Sequence, residues 1–240
     1  MGIITFNSVS SATVGIQVET FPTYETPERD YESIHVPGRN GDVVIDTGTF
    51  RNTIRSYKVS MVASSSVPYY KTMNKVAEWL HSGSGYCRLE DTYEPDYYTY
   101  GYYKQKTSFE NLFNEAGRAT LNFECKPQRY LKTGDNVVTF SSPGTITNPT
   151  KYASLPIITI TTDNTTGSVG IGNCSFTVKD GAGTITVNSE TQDVYTGTAN
   201  KNYYVTLVSG SFPTLESGSN TITFSGGVTK VEIVPKWWTI

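Results

Sequence analysis

The sequence predicts a mainly β protein with two domains. Three observations predict it. Charged residues make up 17% of the 240-residue chain, below the roughly 25% of an average domain, and the gap is filled by strand formers and turn residues, with 17 tyrosines and 21 glycines. Apolar residues recur at every second position in several stretches. Only one stretch carries the longer period of a helix.

Taken in order, VGIQVE at 14–19 reads as a strand. HVPGRNGDVVIDTGTF at 35–50 reads as a hairpin. Asn40-Gly41 is a two-residue turn signal because both residues tolerate positive φ. His35-Val36 enters and Asp42–Asp46 leaves, while Pro37 marks an edge or a bulge. Asp46–Phe50 is then the turn into a strand at 51–63, in which Tyr57, Val59, Met61 and Ala63 share one face. The Gly-rich loop is no phosphate cradle, because Asp42 and a strand follow where a lysine and a helix are needed.

Residues 67–82 form the helix. Tyr69, Met73, Val76, Ala77 and Leu80 fall on one stripe, and Trp79 lies off it and faces a second surface. Pro68 suits the first turn, Ser65 or Ser66 can cap it, and Gly83 stops it. Residues 92–107 follow, with Tyr93, Tyr97, Tyr98, Tyr100, Tyr102 and Tyr103. This Tyr-rich segment reads as two strands around Gly101 or as an extended arm; a protruding aromatic hairpin is either a flap on its own core or, the favoured alternative, a contact to another chain, since tyrosine buries a large ring at low entropic cost. In GRATLNFECK, Ala119, Leu121, Phe123 and Cys125 alternate strictly with polar residues, which makes a half-buried strand with Cys125 on the core face.

The composition shifts near residue 140. Residues 1–140 hold 30 charged residues and 15 threonines, whereas 141–240 hold 11 and 20. LKTGDNVVTFSSPGTITNPT between them has linker chemistry, so the domains are 1–140 and 141–240. The second domain reads as about eight short strands of a β-sandwich, LPIITITT, SVGIG, SFTVKD, GTITVNS, DVYTG, NYYVTLV, NTITFSGG and VTKVEIVP.

The same sequence argues against several function classes. A net charge of −3 gives no basic face for specific nucleic-acid binding. No run of 18 apolar residues crosses a membrane, and the N-terminus lacks a signal peptide and a myristoylation pattern. Cys87, Cys125 and Cys174 have neither disulfide nor zinc spacing and read as reduced, mostly buried thiols made in a cytosol. His35 and His81 have no ligand-spaced neighbours, so neither metal nor cofactor is expected. No Gly-x-Ser-x-Gly elbow is present. Glu90, Asp91, Glu94 and Asp96 read as solvated loop acids, and no catalytic residue is assigned.

Several stretches together resemble the siphovirus tail component family, the distal tail proteins of long-tailed non-contractile phages. They are YESIHVPGRNGDVVIDTGTFRN, the EPDYY segment, LNFECKPQRYLKTGD, the Asn-Pro before LPIITI, and SFPTLESGSNTITF. The resemblance implies a β-sandwich-like N-terminal domain with one helix and a protruding hairpin or belt, and a peripheral galectin-like C-terminal sandwich. It implies a hexameric ring without enzyme activity in the virion, made in the bacterial host cytoplasm. The ring joins the tail tube protein to the tail fibre or tail-associated lysin protein, anchors receptor-binding proteins in many members, and lets DNA pass. On this analogy the Tyr93–Tyr103 arm is the belt. The alternative is a lectin-like carbohydrate-binding or adhesion module in which Tyr203, Tyr204, Trp237 and Trp238 stack on sugar rings. Packing inside the chain is the other role for those four rings.

Overall fold

The computed structural model describes residues 2–62, 68–112, 116–208 and 210–240. They form two compact units, Met1–Arg129 with Ile240, and Tyr130–Thr239. The division falls before the composition shift that sets the expected boundary at 140. Residues 131–150 are not a free linker: Val138 and Phe140 pack on the second core, and Ile146 is buried in it.

The first unit contains β1 (Ile4–Phe6), β2 (Val9–Ser10), β3 (Ile16–Val18), β4 (Thr23–Tyr24), β5 (Arg29–Ile34), β6 (Val43–Phe50) and β7 (Thr53–Val62). After α1 (Tyr69–Leu80) come β8 (Cys87–Asp91), β9 (Tyr97–Tyr102), β10 (Glu110–Leu112) and β11 (Ala116–Cys125). Its main sheet runs β2-β1-β8-β9-β11-β7-β3, with β10 on β11 and β4 on β7. The two strands with the strictest alternation are neighbours, paired antiparallel from Ala116↔Val62 to Cys125↔Thr53. Their inward faces supply Tyr57, Val59, Met61, Leu121, Phe123 and Cys125 to the core, as the alternation demands. Ala63 lies outside the described residues.

Helix α1 covers this core. Its buried residues are Thr72, Val76, Trp79 and Leu80. The stripe is therefore rotated from the expected one: Met73 is half-buried and Ala77 is exposed. Trp79 does not face a second surface. It is buried with its edge on Phe6, and its Nε1–H donates to the carbonyls of Phe6 and Val9 at 3.3 and 3.1 Å. The indole has a large apolar body and one donor, and the turn after β1 offers cover for the first and acceptors for the second. Pro68 is the N-terminal cap and makes no side-chain cap bond. Ser65 and Ser66 lie outside the described residues.

Short β12 (Arg129–Leu131) leads into the second unit, with β13 (Val138–Phe140), β14 (Gly144–Asn148), β15 (Ile157–Ile171), β16 (Cys174–Val178), β17 (Thr184–Asn188), β18 (Asp193–Thr196), β19 (Ala199–Asn200), β20 (Val205–Leu207), β21 (Gly218–Val234) and β22 (Trp238–Thr239). The order is β13-β21-β15-β17-β18-β19, with β14 on β21, β16 on β15 and β20 on β16. The core holds Ile158, Ile160, Val169, Ile171, Phe176, Val231 and Ile233. Two pairs of expected short strands prove continuous. LPIITITT and SVGIG lie in β15, and NTITFSGG and VTKVEIVP lie in β21. Asn202–Tyr204 forms a 3-10 turn rather than the start of a strand.

The glycines and threonines that look like turns sit where β15 and β21 break register, between Thr161 and Gly167, and the two strands bend together through the break. A side chain on Gly227 would collide there with the Thr165 carbonyl and the Asp163 carboxylate. Gly227→Ala is expected to lower the stability of the chain by about 1–3 kcal/mol. The check is a urea midpoint that falls at unchanged slope; an unchanged midpoint would show that the break is slack.

Candidate functional site

The Tyr-rich segment is not an arm. Tyr97–Tyr102 is strand β9, flanked by β8 (Cys87↔Gly101, Leu89↔Thr99) and β11 (Cys125↔Gly101). Tyr98 is 1% exposed and Tyr103 7%, and Tyr103 belongs to the core, edge-on to Phe123 at 5.3 Å. Tyr93 packs on the same core, and Tyr97, Tyr100 and Tyr102 are half-buried. The structure keeps the six tyrosines close along one strand and its ends but gives them no projecting limb. A strand between two others buries its rings whatever their interface propensity.

The limb is formed by residues 29–50. Strands β5 and β6 pair only with each other, as a separate two-stranded sheet, and none of their residues joins either core cluster. Register pairs Ile34 with Val43, Ser33 with Val44, Glu32 with Ile45 and Tyr31 with Asp46. One face therefore carries Glu32, Ile34, Val43 and Ile45, and the other Tyr31, Ser33, Val44 and Asp46. Tyr31, Ile34, Val36, Val44 and Ile45 are exposed, five of the fifteen large apolar side chains exposed among the described residues.

Local chemistry shapes both ends of this hairpin. The tip turns at Pro37-Gly38 rather than at Asn40-Gly41. Pro37 presets the second position, Gly38 takes φ +82° at the third, and the Arg39 N–H donates to the Val36 carbonyl at 3.2 Å. Residues 35–42 form the loop, where Asp42 accepts from the Ser33 hydroxyl at 2.9 Å and lies 3.2 Å from His35 Nδ1. Asp46–Phe50 is not a turn but the bulged end of β6. At this root the Arg29 guanidinium grips Asp46 at 2.6–3.1 Å, and Arg51 grips Asp30 at 2.8–2.9 Å. The hydrogen bonds from Arg29 and from the Gly48 N–H hold the Asp46 carboxyl below its ordinary range. The incoming strand is not legible from the expected turn, but two Arg–Asp pairs spaced across one apolar run are a signal for it.

Two of the four acids that read as loop residues, Asp91 and Glu94, form a node in the first unit. The Asp91 side chain is 1% exposed. Its Oδ2 accepts from the hydroxyls of Tyr24 and Tyr57 at 2.7 and 2.8 Å, and its Oδ1 from the N–H groups of Tyr93 and Glu94 at 2.9 and 3.0 Å. Arg55 lies 3.7 Å from Asp91 and 3.0 Å from Glu94, over the Tyr24 ring. Arg129 donates to Glu94 at 2.6 Å. Burial, and then the Asp91 carboxylate, push the Tyr57 phenol well above its ordinary value. Apart from the buried Arg129 Nε, which has no hydrogen-bond partner, these groups satisfy one another, and the node ties β4, β7 and β8 together.

Among the described residues, no three His, Cys, Asp or Glu side chains converge as a metal site, and no helix is long and apolar enough to cross a membrane. Cys87 is half-buried, Cys125 and Cys174 are buried, and burial pushes the Cys125 thiol up to about 12. Cys125 in the folded chain is expected to resist iodoacetamide at pH 8 while Cys87 reacts, because the thiolate is the nucleophile. Mass spectrometry of the labelled chain checks this; rapid labelling of native Cys125 would contradict its placement.

The four aromatic residues of the second unit do not form one patch. Trp237 is in the core, Trp238 stacks on Tyr152 at 4.5 Å and donates to the Ala153 carbonyl, Tyr204 packs on the core, and only Tyr203 is exposed, with Lys179 above its ring. The terminal VEIVPKWWTI thus closes the second unit through Val231, Ile233 and Trp237, while Ile240 groups with the first.

Residues 9–125 match the phage tail protein RIFT-related domain family. The first unit belongs to that family. The siphovirus likeness carried by its motifs is borne out by this match. The whole chain also matches the crystal structure of the Dit protein (gp 19.1) of phage SPP1, described as a paradigm of the hub adsorption apparatus in phages infecting Gram-positive bacteria. The TM-score is 0.75 at 13% identity, over 100% of both chains. A chain of the phage p2 baseplate in its activated conformation matches with a TM-score of 0.54 at 11% identity, over 96% of this chain and 97% of that one. At these identities the likeness is one of fold, and it extends through both units. No curated protein matches the sequence.

Proposed function

We propose that this phage-tail chain is a self-associating hub at the distal end of a siphovirus tail, in which geometry takes the place of chemistry. Six copies close a ring that joins the tail tube to the tail fibre or receptor-binding apparatus and leaves a channel for DNA. The observation that carries this is the hairpin of β5 and β6. An isolated two-stranded hairpin is at best marginally stable in water, and this one leaves five large apolar side chains 39–61% exposed and outside both core clusters. Its place inside a RIFT-related phage tail domain supports a subunit contact, as does the fold shared with a hub protein. A conduit must release DNA, and a net charge of −3 suits a wall that does not bind it. The carbohydrate-binding alternative draws no support from the scattered aromatic side chains. Mass photometry over a range of concentrations, with negative-stain imaging, tests the proposal: a closed hexamer is expected, and a monomer at every concentration would overturn it.

A further inference from the structure

We propose that Asn40 is a site of spontaneous covalent modification, where ring closure with the Gly41 nitrogen converts its side-chain amide to a mixture of isoaspartate and aspartate. The reaction needs only water and no second copy of the chain. Asn40-Gly41 is the one Asn-Gly pair in the sequence. Glycine puts no side chain beside the nitrogen that must attack, and asparagine is among the chemically labile residues.

The fold leaves both reacting groups free. Asn40 and Gly41 lie in the loop at the hairpin tip, and both are exposed. The hydrogen bond that closes the tip turn runs upstream of them, from the Arg39 N–H to the Val36 carbonyl. Among the described residues none bonds to the Asn40 side chain or to the Gly41 N–H. A Cβ added at Gly41 would meet nothing within 4 Å, so the space that the ring needs is open.

The sequence offers three related pairs, Asn7-Ser8, Asn188-Ser189 and Asp180-Gly181, and the fold restrains each. Asn7 Nδ2 donates to the Ser82 carbonyl and hydroxyl at 3.4 and 3.3 Å. Asn188 Oδ1 accepts from the N–H groups of Glu190 and Thr191 at 3.0 and 3.3 Å, and the Ser189 N–H donates to the Pro156 carbonyl at 3.1 Å. The Gly181 N–H donates to the Asn164 carbonyl at 3.2 Å. A group held in this way must first open before it can rotate and react.

Solvent base removes the Gly41 N–H proton, and the nitrogen attacks Asn40 Cγ. The N–Cγ bond forms, the Cγ–Nδ2 bond breaks, and ammonia leaves with a proton from water. Water then opens the cyclic imide at either carbonyl. Opening at Cγ gives aspartate, and opening at the main-chain carbonyl of residue 40 gives isoaspartate. The net change is water in and ammonia out, with no oxidation or reduction. Either product sets a second carboxylate near Asp42 in the chain and takes the formal charge one unit below −3. Isoaspartate also runs the main chain through Cβ, which adds a carbon to the loop between the paired residues Ile34 and Val43.

Folded chain and chain unfolded in guanidinium chloride, held side by side at mildly alkaline pH, test this. Digests are mapped by mass spectrometry, and isoaspartate is counted by methylation with protein isoaspartate methyltransferase. The Asn40 amide is expected to be lost as fast in the folded chain as in the unfolded one, with more isoaspartate than aspartate, while Asn7, Asn188 and Asp180 change only in the unfolded chain. Asn40→Gln, whose longer side chain closes the ring slowly, is expected to remove the signal from the folded chain. An Asn40 amide that survives, or that folding protects about tenfold or more as an opening step before reaction would require, would overturn the proposal. So would an undiminished signal in the Asn40→Gln chain.

Discussion

Asp91→Ala is expected to lower the stability of the chain by about 3–5 kcal/mol, the largest single-residue effect in the first unit. The carboxylate is 1% exposed, accepts two tyrosine hydroxyls and two backbone N–H groups, and lies 3.7 Å from Arg55. Its removal leaves four donors without their acceptor and takes from Arg55 one of the two carboxylates beside it, leaving Glu94. Asp91→Asn keeps the shape and one acceptor oxygen, and should cost less. A urea melt decides: a loss for Asp91→Ala below about 1 kcal/mol, the value of an exposed ion pair, would show that the node is not structural.

The node also sets an alkaline limit. Burial and then the hydrogen bond to Asp91 raise the Tyr24 phenol above its ordinary value of 10.0, and burial and the Asp91 charge do the same for Tyr57. The fold therefore favours the neutral phenols. Their contribution is fully present below about pH 10 and is lost as pH rises beyond it, where the unfolded tyrosines ionise first. Unfolding midpoints should fall above pH 10, and less steeply for Tyr57→Phe.

Ile34→Glu combined with Ile45→Glu is expected to weaken assembly about 100-fold while leaving the midpoint of thermal unfolding of the monomer unchanged within a degree or so. Each isoleucine is already partly covered on the hairpin, at 43% and 44% exposed, so burial of the remainder in a contact contributes about 1–1.5 kcal/mol apiece. Two such losses correspond to the stated factor. Neither side chain touches a core of its own chain, so the folded subunit has nothing to lose. Equal assembly by mass photometry would place the subunit contact elsewhere, and a large drop in the midpoint would show that the hairpin packs on its own unit.

The sequence reading locates elements well where the signal is periodic and misplaces roles where it is not. Tyr57, Val59 and Met61 alternate with polar neighbours and line the core as expected, as do Leu121, Phe123 and Cys125. Helix α1 runs from Tyr69 to Leu80, inside the expected 67–82. Its facing is less legible, because Met73 and Trp79 are both apolar and spacing alone does not say which the sheet will cover. Asp91 and Glu94 have the look of loop acids, and only the approach of Tyr24, Tyr57 and Arg55 from distant strands buries them.

The amino-acid sequence by itself determined that this is a mainly β chain with one helix, where its strict strands lie, and which tail family its motifs belong to. Those are properties of neighbouring residues: a strand repeats every second position and a helix every 3.6, and a motif is read along the chain. Only the tertiary structure decided which limb projects. Tyr97–Tyr102 and Val43–Phe50 both look like strands with apolar side chains to bury, but the first gains β8 and β11 as neighbours and the second gains only β5. Pairing partners come from segments far apart in sequence, and it is the partner that makes one strand core and leaves the other exposed.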